Sequence, residues 1–212
     1  MNYVLFTDAA SFNNGKKDPS MPQHSYSGAI LTYNGEIIKK FGHFNPNTTN
    51  NYGEIYAIYY GLKSSLNYLK DEGISDIKID LYSDSEICVR GLNEWIFSWK
   101  RNSDSNGVWH KSSNEVVSNQ EIFKKIDKIL NNNDIKPIFK NKSIPKSIRI
   151  FHIKGHVKSD KDFEKAIKTF KRVNGIDVPK YILKFLVNMN NEVDRYAVKK
   201  LEKKLGEVIK IK

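Results

Sequence analysis

Apolar and polar residues alternate along some stretches of this chain and recur at helical spacing along others. Tyr3-Val4-Leu5-Phe6-Thr7 is a β-branched and aromatic run that stops at Asp8 and the small pair Ala9-Ala10, which predicts a strand over 3–8. Two more strands, over about 27–33 and 36–42, are joined by the hairpin dipeptide Asn34-Gly35. Ile55, Ile58, Tyr59, Leu62, Leu66 and Leu69 then recur at helical period and predict a helix over about 52–70. Alternation returns in Ile77-Lys78-Ile79-Asp80-Leu81-Tyr82-Ser83, a fourth strand that runs into Asp84. Helices over 85–98 and about 119–131, a strand over 148–154 and further helices complete the order. Three leading strands with short turns imply an antiparallel meander, and the strand-helix-strand units after them imply parallel pairing. The expected class is α/β, a five-stranded mixed sheet flanked by helices.

Three stretches interrupt this order. Asn13 to His24 is a polar connection longer than a hairpin needs, and residues 102–118 are rich in Ser and Asn. Beyond residue 157, Phe163, Ile167 and Phe170 mark one helix, Asn174-Gly175 a stop, and Tyr181 to Val187 a second helix after Pro179.

Composition narrows the setting. A chain of 212 residues is expected to form one domain with a sizeable core. No apolar run approaches a membrane span, and the first residues enter a strand without a signal core, so a soluble, cytoplasmic protein without membrane attachment is expected. The single cysteine, Cys88, lies among Ile87, Val89 and Leu92 and reads as a small buried apolar side chain in a reducing compartment. A net charge of +11 and a pI near 9.5 point to a polyanionic partner. Residues 154–212 alone hold 16 Lys or Arg against 8 Asp or Glu. A Lys-rich solvated helix surface explains that tail equally well.

Four acids carry the candidate chemistry. Asp8 and Asp84 end strands, while Glu54 and Asp194 sit on helices, and each taken singly is explained as a cap or a strand end. Their surroundings change the weight. Thr7-Asp8, Thr49-Asn50-Asn51-Tyr52-Gly53-Glu54, Ser83-Asp84-Ser85, Gly155-His156 and Asn190-Asn191-Glu192-Val193-Asp194 follow one another in that order. From about Tyr3 to about Leu201 this series resembles the type 1 ribonuclease H family. The most specific pieces are the Thr-Asn-Asn-x-x-Glu stretch and the segment from Asp84 to Trp99.

The resemblance implies a ribonuclease H-like fold in which the first and fourth strands are central neighbours. It implies one ribonuclease H domain over 1–212, with a basic protrusion over about 93–118 and a helical insertion over about 158–189 that the family commonly lacks. By resemblance Asp8, Glu54, Asp84 and Asp194 hold two metal ions, Asp8 bridging both, Glu54 and Asp84 holding the one near the attacking water and Asp194 the other. A carboxylate set without Cys or His favours Mg²⁺, or Mn²⁺ in its place, over Zn²⁺. His156 is expected to assist proton transfer or product release from a loop. The implied partner is an RNA-DNA hybrid, cut in its RNA strand to 3′-hydroxyl and 5′-phosphate ends by a monomeric enzyme. Groove and phosphate contacts fall to Asn14, Thr49, Asn50 and Asn51, and contacts of the protrusion to Trp95, Trp99, Lys100 and Arg101. Helix packing explains the two tryptophans, one turn apart, at least as well. The insertion's Lys161, Lys165, Lys168, Lys171 and Arg172 offer a further phosphate contact. Asn34 stands where the family often has a basic residue, and Glu86 where it often has Gln. Two other readings keep the fold: a DNA nuclease, resolvase or reverse-transcriptase-associated module, and a non-catalytic hybrid-binding domain.

Overall fold

Five strands, β1 (Tyr3–Phe12), β2 (His24–Tyr33), β3 (Glu36–Pro46), β4 (Ile79–Ser83) and β5 (Ile148–His152), form one mixed sheet in the order β3-β2-β1-β4-β5. The structure is a computed structural model that describes residues 3–15, 18–74, 76–131, 148–157 and 159–210. β1, β2 and β3 are the antiparallel meander, and β4 and β5 pair parallel to β1 and to each other. Asn34 and Gly35, both at positive φ, make the tight turn between β2 and β3.

The period-2 rhythm decides which side chains enter which layer. Leu5 points to one face, where Ala29, Leu31 and Leu81 join Ile55, Ile58 and Leu62 of α1 (Asn50–Asp71). Phe6, the next residue, points to the other face and packs with Ile30, Tyr82 and Ile153. The first layer also takes α2 (Glu86–Arg90), a π turn (Gly91–Trp95), α3 (Ile96–Arg101) and α4 (Gln120–Asn131). The second takes α5 (Asp160–Asn174) through Phe170 and α6 (Lys180–Lys210) through Leu183, Leu186, Val187 and Val193. Every apolar residue that predicted α1 is inside, except Tyr59, which is half-buried.

Several boundaries differ from those expected. β1 does not stop at Asp8; it continues to Phe12, because β2 still pairs with it from Asp8↔Gly28 to Phe12↔His24. What stops near Asp8 is the pairing with β4, whose last register is Thr7↔Ser83. The helix expected over 85–98 reaches Arg101 and contains the π turn, with the Ile96 N–H bonded to the Gly91 carbonyl. Helix α5 ends where expected, with Gly175 in the left-handed conformation as its cap. The second helix expected within the insertion is not separate: from Lys180 it runs unbroken through Asp194 to Lys210 as α6. Among the described residues no helix is long and apolar enough to cross a membrane.

Candidate active site

Two central strands bring two acids together. Asp8 lies at the point where β1 loses β4, and Asp84 is the residue immediately after β4, so the parallel register Thr7↔Ser83 sets the two carboxylates side by side. Glu54 arrives from the first turns of α1. That helix lies close on the sheet because Gly53 has no side chain: a Cβ there would meet Ser25 at 2.8 Å and the Ala9 Cβ at 2.9 Å. The Gly53 carbonyl also accepts a hydrogen bond from the buried Ser27 hydroxyl at 2.7 Å. As a result the carboxylates of Asp8, Glu54 and Asp84 each place an oxygen within 4.8 Å of the other two.

This trio is poorly hydrated. Asp8 is 4 % exposed and Glu54 8 %, and Glu54 Oε2 is buried without a hydrogen-bond partner among the described residues. Asp8 Oδ1 accepts from the Ala9 amide at 2.7 Å and Glu54 Oε1 from the Asn50 side chain at 3.3 Å. Burial, followed by the charges of Asp84 and Asp194, pushes the Asp8 carboxyl up to about 8, against the opposing Ala9 bond. Burial and then Asp8 and Asp84 raise Glu54 well above the carboxylate range, and burial raises Asp84. Asp194, half-buried on α6, lies outside the tight trio, yet its charge acts on all three members. Hard oxygen donors, mutual repulsion and an unpartnered buried oxygen are what a divalent cation relieves.

Three residues with no assigned role in the sequence reading hold Asp84 in place. Asn190, one turn before Asp194 on α6 and 1 % exposed, donates to the Asp84 carboxylate and opposes the rise of its pKa. His152, the buried last residue of β5, contacts the Asp84 backbone carbonyl through Nε2 at 3.2 Å. Gly155 lies directly against the carboxylate, since a Cβ there would stand 2.1 Å from Asp84 Oδ2. The Gly-His pair therefore has a steric reason for its glycine. For Asn190 the signal was a polar residue four before Asp194 on an otherwise core-facing stripe; for His152 the sequence carries none.

The remaining expected residues fall in varied places. His156 is exposed on the loop after β5 at φ 53, a left-handed backbone uncommon for histidine, and its charge acts on Asp84. Thr49 is the N-cap of α1, accepting from the Tyr52 amide, and Asn51 beside it is exposed. Asn14 is exposed in the turn after β1, six residues beyond Asp8. In the protrusion the tryptophans divide. Trp95 is half-buried beneath the Arg90 guanidinium at 5.0 Å. Trp99 is 8 % exposed and edge-on to Phe123 at 5.0 Å, so it is a core residue rather than a stacking surface. Trp109 is buried as well. Lys100 is bound to Asp127 at 2.6 Å, which leaves Arg101 as the exposed cation at the end of α3.

A mixed five-stranded sheet with two acids side by side where its two central parallel strands stop pairing is the architecture of the ribonuclease H-like fold. The chain belongs to the ribonuclease H family: the family model described as RNase H matches residues 1–172. A Ribonuclease H of Legionella pneumophila (strain Lens) is 34% identical over 129 residues, covering 61% of this chain and 76% of that protein. A Ribonuclease H of Afipia carboxidovorans is 34% identical over 154 residues, covering 72% of this chain and 80% of its own length. The solution structure of the PFV RNase H domain superposes with a TM-score of 0.51 at 20% identity, covering 82% of this chain and 93% of that one. The match to the family model ends at residue 172, so α6 and Asp194 lie beyond it.

Proposed function

We propose that this protein hydrolyses the RNA strand of RNA-DNA hybrids at the cluster formed by Asp8, Glu54, Asp84 and Asp194, leaving 3′-hydroxyl and 5′-phosphate ends. The observation that carries this reading is the trio itself, three largely buried carboxylates with oxygens within 4.8 Å of one another in a chain of the ribonuclease H family. As bare anions they repel, so at neutral pH they hold either protons or a cation.

The donor set fits Mg²⁺, or Mn²⁺ in its place, and the four acids are the proposed ligands of two ions. When bound, such ions lower the pKa of a coordinated water and neutralise charge on the departing oxygen. The chain's own groups position the reaction. Asp8 and Asp84 project from the sheet, and Asn190, His152 and Gly155 fix the direction of Asp84. His156 is proposed to move a proton through its exposed imidazole between solvent and the departing 3′-oxygen. Asn14, Asn50 and Asn51 offer amides to the groove edges, and Thr49, Arg101, Trp95 and, when it leaves Asp127, Lys100 are proposed to contact the backbone. One domain over 1–212, acting as a cytoplasmic monomer, accommodates these roles; a lone buried cysteine suits a reducing compartment.

The direct test is an end-labelled hybrid incubated with protein and Mg²⁺. The RNA strand should shorten with the native chain and stay intact with Asp84→Asn; equal cleavage by both refutes the site. His156→Ala should slow turnover and retain some activity, whereas Asp8→Asn should abolish it.

A further inference from the structure

We propose that the insertion helix α5 is a phosphate-binding track that extends the grip on the hybrid beyond the cut site. The proposal rests on the hybrid-cleaving reading of the carboxylate cluster. Lys161, Lys165, Lys168 and Arg172 stand at i, i+4, i+7 and i+11, so they form one stripe along the helix, and all four are exposed. The opposite side carries Ala166 and Phe170, both buried, Phe170 in the core layer with Phe6, Ile30 and Tyr82 of the sheet, which fixes the stripe outward. Lys161 and Lys168 have no acidic partner among the described residues, and Lys165 has only a 3.9 Å contact with Asp162. Glu164 of the same helix is engaged by Lys180 at 3.1 Å.

The position of the stripe relative to the site makes it more than a solvated helix surface. Its last member, Arg172, reaches Glu86 at 3.4 Å, and Glu86 is two residues from Asp84. Asn174, at the end of the same helix, clamps the outer edge of β5: its Oδ1 accepts from the His152 amide and its Nδ2 donates to the His152 carbonyl, both at 2.8 Å. His152 in turn contacts the Asp84 carbonyl at 3.2 Å. One end of α5 is thus tied to the rim of the carboxylate cluster while its lysines lead away from it. From Lys161 to Arg172 the helix rises about 16 Å. At ~3.4 Å of axis per phosphate in one strand, that length meets about five phosphates. Arg172 also covers the negative charge that Glu86 places at this rim, which keeps the track continuous with the site.

The test measures binding of long and short hybrids, about 24 and about 8 base pairs, by fluorescence anisotropy over a salt series, with the native chain and the triple variant Lys161→Gln/Lys165→Gln/Lys168→Gln. Loss of three phosphate contacts should lower the slope of log K against log salt by about three on the long hybrid. It should also reduce the long-to-short affinity ratio. The charge-conserving variant Lys161→Arg/Lys165→Arg/Lys168→Arg should keep the native slope and ratio, which separates lost charge from a disturbed helix. An unchanged slope and ratio in the Gln variant, or the same loss in the Arg variant, overturns the track. Cleavage of the long hybrid by the native chain, followed in parallel, separates the two claims: no cleavage refutes the hybrid-cleaving reading, and unchanged binding by the Gln variant refutes the track alone.

Discussion

Residue by residue, the site is a crowd of carboxyl groups in which burial and mutual repulsion raise the pKa of Asp8, Glu54 and Asp84. Because Asp8 holds its proton up to about 8 in the folded chain, whereas an unfolded Asp releases it near 3.8, the metal-free fold binds more protons than the unfolded chain between those limits. Its stability therefore falls as pH rises through that window; Glu54 and Asp84, raised as well, act in the same direction. Thermal melting in chelator should show Tm declining from acid to mildly basic pH, and Asp8→Asn should flatten the decline and melt higher at the basic end. Saturating Mg²⁺ should restore the native chain and leave Asp8→Asn nearly unmoved. Gly155→Ala should shrink the Mg²⁺-induced rise in Tm, because its methyl occupies the space of Asp84 Oδ2; an undiminished rise would show that the carboxylate has another position available. That Asp8, Glu54 and Asp84 belong together was legible from their ordered surroundings. Asn190 and His152 were not, since their importance comes from which way α6 and β5 turn them toward Asp84, and a single sequence does not specify that orientation.

At the scale of elements, periodicity located every strand and most helices among the described residues, and it failed where tertiary contacts override local pattern. β1 outlasts its apolar run because β2 keeps pairing with it. The helix expected over Tyr181 to Val187 was read as separate from the last one, yet Asn190 turns inward to Asp84 and α6 continues through it. Trp99 was ambiguous because its partner, Phe123, comes from α4, more than twenty residues away. The insertion is bound to the sheet by Phe170, which is 1 % exposed among Tyr82, Leu183 and Leu186. Phe170→Ala should lower the unfolding free energy by about 3–5 kcal/mol in one cooperative urea transition. A loss below about 1 kcal/mol would mean that α5 contributes little to the fold.

For the whole molecule, a sheet with two helical layers brings Asp8, Glu54 and Asp84, far apart in the sequence, into one acidic centre in a chain of net charge +11. The surrounding positive charge attracts a polyanion, while the centre itself admits it only when its own charge is neutralised. That combination suits a nucleic-acid hydrolase, and the choice of substrate is its most exposed claim. The decisive measurement compares end-labelled RNA-DNA hybrid, double-stranded RNA and duplex DNA, each incubated with the protein in Mg²⁺ and again in chelator. Cleavage confined to the RNA strand of the hybrid, dependent on Mg²⁺ and yielding 3′-hydroxyl and 5′-phosphate ends, is the expected result. Cleavage of duplex DNA at a comparable rate, or of the hybrid in chelator, would contradict it.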